Sequence, residues 1–132
     1  MRTTLILFIS LLLVGCSQSS IAHSPAETPA LKVSLNSDTT KLTINNTASL
    51  TASVTYGAEK IDDAYVQFEI IENGASLGMV SPNVLEEGKY VLDTKFLEPG
   101  EKQVIVHVDY KEQHEMKGIF LSVTNGEEGE ES

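Results

Sequence analysis

The sequence predicts an all-β domain, folded as an immunoglobulin-like antiparallel β-sandwich of about seven strands. Apolar and polar residues alternate with a period of two between Leu31 and Thr124. Short turn sequences interrupt this alternation at regular intervals, and no long stretch repeats apolar residues at helical spacing. Seven short alternating strands in roughly 95 residues are what an immunoglobulin-like sandwich requires.

Each predicted strand ends at a recognisable turn. Asn73-Gly74 is typical of a hairpin, and Pro82 makes the fourth strand a weak one at a sheet edge. In the sixth strand, Val104, Val106 and Val108 alternate toward the core. The predicted strands are 31–36, 48–56, 64–72, 77–84, 89–96, 102–110 and 115–124.

The chain begins with a short basic and apolar segment. Arg2 precedes an apolar run from Leu5 to Val14, which is too short to span a bilayer because a spanning helix needs about 20 residues. This layout is typical of a secretory signal peptide over 1–15. The sequence Leu13-Val14-Gly15-Cys16 closely resembles the lipobox of bacterial lipoproteins. The resemblance implies cleavage before Cys16, lipidation of its thiol with acyl chains such as palmitate, and an extracytoplasmic protein anchored to the cell membrane.

Polar segments flank the predicted domain at 31–124. Residues 16–30 hold the lipidated cysteine and a stretch rich in Ser, Ala and Pro, which indicates a disordered tether. Residues 125–132 (NGEEGEES) carry four glutamates, which indicates a disordered, solvated acidic tail.

Composition excludes several classes of function. The formal net charge of -10 argues against nucleic acid as a partner, because phosphate binding needs a basic face. The single cysteine excludes an internal disulfide and a thiolate zinc cluster. The chain also lacks a Gly-x-Ser-x-Gly, a His-Glu-x-x-His and a phosphate-binding glycine loop, so we expect no enzymatic activity.

The last two strands carry the most informative group of side chains, His107, Asp109, His114 and Met116. A hairpin centred on 112–113 would place His107 opposite Gly118 and Asp109 opposite Met116. All four side chains would then share the sheet face opposite the valine core. A slip of one residue would move the partner strand's side chains to the other face.

Imidazole and thioether are soft ligands that suit Cu(I) better than magnesium or calcium. We therefore expect His107, His114 and Met116 to be copper ligands, with Asp109 and Met79 as weaker candidates. The alternative is that these residues bind no metal, since Met116 could equally fill a gap in a core.

Motifs along the domain resemble a known family. These are Tyr56-Gly57, the strand from Asp63 to Ile70 (DAYVQFEI), Pro99-Gly100, Val104-Ile105-Val106-His107-Val108 and His114-Glu115-Met116. The segment is similar to the YtkA-like domain of FixH-family lipoproteins from Gram-positive bacteria. That resemblance implies a non-catalytic binding domain, with copper handling for respiratory oxidase assembly and a membrane protein or assembly factor as partner.

A second likeness favours another function. The run from Leu50 to Ile70 also resembles bacterial immunoglobulin-like modules of surface adhesins. Both likenesses imply the same fold. The second implies a metal-free protein-interaction or adhesion module at the cell surface.

Overall fold

A computed structural model describes residues 27–126. The predicted signal peptide, the lipidation site Cys16, most of the predicted tether and the glutamates of the predicted tail lie outside these residues. Within 27–126, no helix is long and apolar enough to cross a membrane.

The described residues form an all-β sandwich of two five-stranded sheets, which confirms the predicted fold class. The first sheet has the order β1-β3-β8-β7, with β4 paired to β3, and the second has the order β2-β10-β9-β5-β6. Antiparallel pairing dominates, and only β2 and β10 pair in parallel within the described part of the chain. The strands are β1 (Leu31–Ser37), β2 (Lys41–Thr43), β3 (Thr47–Tyr56), β4 (Glu59–Lys60), β5 (Tyr65–Glu72), β6 (Ala75–Val80), β7 (Asn83–Leu85), β8 (Lys89–Lys95), β9 (Gly100–Tyr110) and β10 (Gln113–Thr124).

The prediction of about seven strands was too low, because ten are present in residues 27–126. The short strands β2 and β4 carry too few residues to show a period of two. The single predicted strand 77–84 was wrong. Its residues form the end of β6 and most of β7, which lie in different sheets, so Pro82 stands where the chain crosses between sheets. A proline suits this position because its missing N–H breaks the ladder of hydrogen bonds.

Alternation along each strand builds the core between the sheets. Phe68, Val104 and Val106 of the second sheet are completely buried, as are Leu50 and Ala52 of the first. A side chain the size of valine or phenylalanine contributes about 1.5–3 kcal/mol when it is fully buried. Because the core holds neither a tryptophan nor a disulfide, its stability rests on these aliphatic and phenyl groups.

One charged residue joins this core. Lys102 occupies an inward position of β9 and is 1% exposed, and its ammonium lies 3.3 Å from the carboxylate of Glu72 on β5. The two residues are direct cross-strand partners. The sequence prediction placed Lys102 at the start of a strand and did not anticipate its burial.

Buried Tyr90 ties the loop between β4 and β5 to the first sheet. Its hydroxyl donates a hydrogen bond to the carbonyl of Ile61 (2.7 Å) and accepts one from the amide of Ala64 (3.0 Å). Burial raises the pKa of this hydroxyl.

The turn before β8 requires glycine. Gly88 has a φ of +74°, and a Cβ at this position would lie 2.6 Å from the carbonyl oxygen of Val54.

Candidate metal centre

Three neighbouring strands, β5, β9 and β10, bring the predicted ligands together. In one cross-strand row, Gln67 pairs with His107, which pairs with Met116. In the next row toward the β9–β10 hairpin, Asp109 pairs with His114. Directly paired residues project from the same face of a sheet. His107, Asp109, His114 and Met116 therefore share the outer face, as the sequence predicted.

The predicted register of this hairpin was wrong by two positions. His107 lies opposite Met116 instead of Gly118, and Ile105 lies opposite Gly118. A shift of two residues changes the partners and preserves the faces, because side chains alternate with a period of two. The correction brings the thioether of Met116 beside the imidazole of His107.

The register follows from an unusual turn. Tyr110 pairs with Gln113, which leaves Lys111 and Glu112 as a two-residue loop. Both have positive φ, 45° and 63°, as a type I′ turn requires. Asn and Gly usually fill these positions, so the sequence Lys-Glu gave no signal of where the hairpin turns.

The Lys111 ammonium lies over the rings of Tyr56 and Tyr110, 5.1 and 5.4 Å from their centres. Cation–π attraction therefore supports this turn.

The first histidine–carboxylate pair joins β10 and β9. Nδ1 of His114 lies 2.7 Å from Oδ1 of Asp109. When the neutral imidazole donates through Nδ1, its Nε2 lone pair is left to bind another group. Metal-ligating histidines are commonly oriented in this way by a carboxylate. Asp109 is thus placed to position His114.

The second pair joins β9 and β5. Nε2 of His107 lies 3.0 Å from Oε1 of Glu69, and both side chains are 19% exposed. Hydrogen bonds from Ser76 and His107 hold the pKa of Glu69 below its ordinary value. When Glu69 accepts the Nε2 proton, Nδ1 is the nitrogen of His107 that carries a lone pair. Glu69 was not predicted from the sequence as part of this site. Its alternation with buried Val66, Phe68 and Ile70 marks it as outward-facing, but the adjacency of β5 and β9 could not be read from the sequence.

The two imidazole rings are close enough to share one ion. Their centres lie 6.0 Å apart, with an angle of 40° between the ring planes. A metal–nitrogen bond of about 2.0–2.1 Å puts an ion roughly 3.2 Å from each ring centre, so two ligating rings can be at most about 6.4 Å apart. The observed separation meets this limit.

Thioether groups lie on the same outer face at two places. Met116 is half-exposed and directly opposite His107. Met79 lies opposite Glu69 on β6. Since β6 and β10 are separated by β5 and β9, the two methionine backbones are about 14 Å apart. Met79 therefore cannot share an ion with Met116.

The donor set is a mixed one. Among residues 27–126, no group of three or more His, Cys, Asp or Glu side chains is arranged to hold a metal ion. A site here therefore requires the Met116 sulfur together with the two imidazoles. A set of two nitrogens and one thioether suits Cu(I), and the predominantly carboxylate and carbonyl sites of calcium or magnesium are chemically different.

Comparisons with known proteins bear on the fold. No protein-family model matches the chain, and no curated protein matches it. Among solved structures, the chain is similar to the CARDB domain of a protein from Pyrococcus furiosus, whose crystal structure is a complex with di-metal ions. The TM-score is 0.54 at 20% sequence identity, and the match covers 74% of this chain and 90% of that chain. At this identity the likeness shows the immunoglobulin-like sandwich fold alone.

Proposed function

We propose that this protein is a membrane-anchored extracytoplasmic lipoprotein whose YtkA-like β-sandwich binds one Cu(I) ion. His107, His114 and Met116 are the ligands, and Glu69 and Asp109 are the carboxylates that orient the two imidazoles. The observation that carries the proposal is the 6.0 Å separation of two carboxylate-bonded histidine rings, beside a thioether on the same sheet face.

The location of the site supports transfer of the ion over storage. His114 and Asp109 are about half exposed, and Met116 is 50% exposed. An ion held on an open sheet face can be reached by a second protein without unfolding the first. We therefore propose a non-catalytic role in copper delivery, with a membrane protein or respiratory oxidase assembly factor as the recipient. The resemblance to the YtkA-like family supports this assignment.

A solved domain of similar fold supports metal binding by a sandwich of this kind. The CARDB domain from Pyrococcus furiosus forms a complex with di-metal ions, so a sandwich of this kind can carry metal. That observation identifies neither copper nor the ligands used here. The donor chemistry of His107, His114 and Met116 is what favours copper.

A titration tests the metal proposal. The full chain would compete with a chromogenic Cu(I) chelator under anaerobic, reducing conditions, beside His114→Ala, Met116→Ala and Met79→Ala. We expect one equivalent to bind the wild type and Met79→Ala, and at least a tenfold loss of affinity (about 1.4 kcal/mol) in the other two. Met79→Ala is the matched control because it removes an exposed thioether from the same face. Equal affinity in all four proteins would refute the site.

The anchor needs its own experiment. Cells expressing the full chain would be fed an alkyne analogue of palmitate, and the recovered protein tested for label. We expect label on the wild type and none on Cys16→Ser. Label that survives Cys16→Ser would contradict the anchor and leave the metal proposal untouched.

The second candidate is a metal-free interaction module. It is favoured by nine large apolar side chains that are exposed in residues 27–126: Tyr65, Leu77, Met79, Val80, Val84, Leu85, Leu97, Met116 and Phe120. Co-purification of membrane proteins with the chain distinguishes the two functions. Binding that survives a Cu(I) chelator and His114→Ala supports the interaction module, and binding that both abolish supports copper delivery.

A further inference from the structure

The sandwich has one closed lateral side and one open one. On the closed side, β1 packs beside β10, and the apolar side chains of β1 are buried. On the open side the two sheets end at β6 and β7, and every residue of both strands is exposed. We call this open side the β6–β7 edge, defined by residues 75–80 and 83–85.

Two valines at the β6–β7 edge point between the sheets, as core residues do, but remain exposed to solvent. Val80 pairs with buried Phe68, and Val84 pairs with buried Tyr90, so both valines are directed into the gap between the sheets. They are nevertheless 40% and 55% exposed. A shallow groove of about 230 Å³ lies beside Val84, with Pro82 also among its lining residues.

This edge is also uncharged. Residues 73–85 contain no Lys, Arg, Asp or Glu, although the whole chain has a net charge of -10. Two copies of an acidic protein repel one another wherever carboxylates meet. At the β6–β7 edge, they can approach without placing charged side chains of these strands in the interface.

We propose that the β6–β7 edge binds a second copy of this chain. The exposed fractions of Leu77, Met79, Val80, Val84 and Leu85 run from 40% to 62%. With their backbone atoms included, these residues expose roughly 500 Å² per copy, so a dimer that covers all of them buries roughly 1,000 Å², the lower limit of a biological interface.

Side-chain packing, rather than extension of a sheet, holds the two copies together. A bulge between Glu69 and Ile71 shifts the register of β6, Gly78 has a φ of 107°, and Pro82 follows. Bulges and prolines are features that prevent strands from pairing at an edge. A two-fold axis parallel to the strands would place β6 of one copy beside β7 of the other. This arrangement leaves both N-terminal ends on one side, as two anchors in one membrane would need.

Sedimentation of the full chain in detergent tests the dimer. Wild type would be compared with Val84→Glu and with Phe120→Glu, which adds the same charge at an exposed position on the outer face of β10. At about 50 µM protein we expect wild type and Phe120→Glu to be dimeric. Val84→Glu should weaken association at least about 100-fold, because the two-fold axis would bring two unpaired carboxylates into an apolar interface.

Crosslinking with a bifunctional maleimide gives a second readout, because its spacer reaches between the two β7 strands, which are too far apart for a direct disulfide. Val84→Cys should form a crosslinked dimer with this reagent, and Phe120→Cys should crosslink no more than the wild type. A monomeric wild type overturns the proposal, as does equal dissociation of both glutamate variants or equal crosslinking of both cysteine variants. If the chain stays monomeric while Val84→Glu abolishes binding to another membrane protein, the edge serves that protein and self-association is refuted. None of these outcomes depends on copper.

Discussion

The two faces of the sheet formed by β5, β9 and β10 differ in composition although they come from the same strands. On β9, Val104, Val106 and Val108 point inward and are completely buried. His107 and Asp109, which alternate with these valines, point outward, where each pairs with a charged or titratable group on a neighbouring strand. A period of two thus lets one segment supply stability on one face and chemistry on the other. The difference predicts that substitutions on the two faces affect different measurements.

The largest effect is expected from the inner face. Phe68→Ala removes a fully buried ring between the sheets and should lower the free energy of unfolding by about 3–5 kcal/mol. Urea unfolding followed by circular dichroism measures this change. A loss below about 1 kcal/mol would mean that the core collapses around the cavity, and the contrast between the faces would fail.

The ion pair between Lys102 and Glu72 is the exception on the inner face. Glu72→Ala leaves the buried ammonium without its partner and should cost about 3 kcal/mol, as breaking a buried pair does. Replacing both partners, in Lys102→Met together with Glu72→Leu, leaves no unpaired charge and should change stability by less than about 1 kcal/mol. Urea unfolding of both variants checks this asymmetry. Equal losses of unfolding free energy in the two variants would show that the pair stabilises the fold through its mutual attraction, with no added cost from an unpaired buried charge.

Asp109→Asn, on the outer face, should affect metal binding and leave stability nearly unchanged. The variant keeps the shape of the side chain but removes the carboxylate that orients His114, so we expect a 10- to 100-fold loss of Cu(I) affinity. The free energy of unfolding should change by less than about 0.5 kcal/mol because the position is half exposed. Chelator competition and urea unfolding measure the two quantities. A large loss of stability with unchanged affinity would reverse the assignment.

The smallest effect concerns the pH dependence of stability. The pKa of Glu69 is lowered in the folded protein, so the ionised carboxylate stabilises the fold above its unfolded pKa. This contribution is lost as pH falls through the folded value, below the ordinary value of 4.5. The difference in unfolding free energy between wild type and Glu69→Gln should therefore be greatest near pH 6 and shrink toward pH 3. A constant difference across this range would show that the hydrogen bonds of Glu69 do not depend on its charge.

The inner face could be predicted from the sequence more completely than the outer one. Alternation of valines in 102–110 identifies the strand and its buried face because burial requires a period of two. The burial of Lys102 could not be predicted in this way, because it depends on Glu72 being its cross-strand partner. The sequence correctly predicted that His107 and Met116 share one sheet face. It did not predict that they are cross-strand partners, because Lys111 and Glu112 are not typical turn residues and do not mark the centre of the hairpin. Pairing of His107 with Glu69 depends on strand order, which no local pattern encodes.

X-ray absorption at the copper edge tests the central claim most directly, because it reports the ligands themselves. The full chain loaded with one equivalent of Cu(I) should show a sulfur at about 2.3 Å and two nitrogens at about 2.0 Å. Met116→Ala should lose the sulfur scattering, and Met79→Ala should retain it. A wild-type spectrum without sulfur, or one that Met116→Ala leaves unchanged, would contradict a copper site built from His107, His114 and Met116.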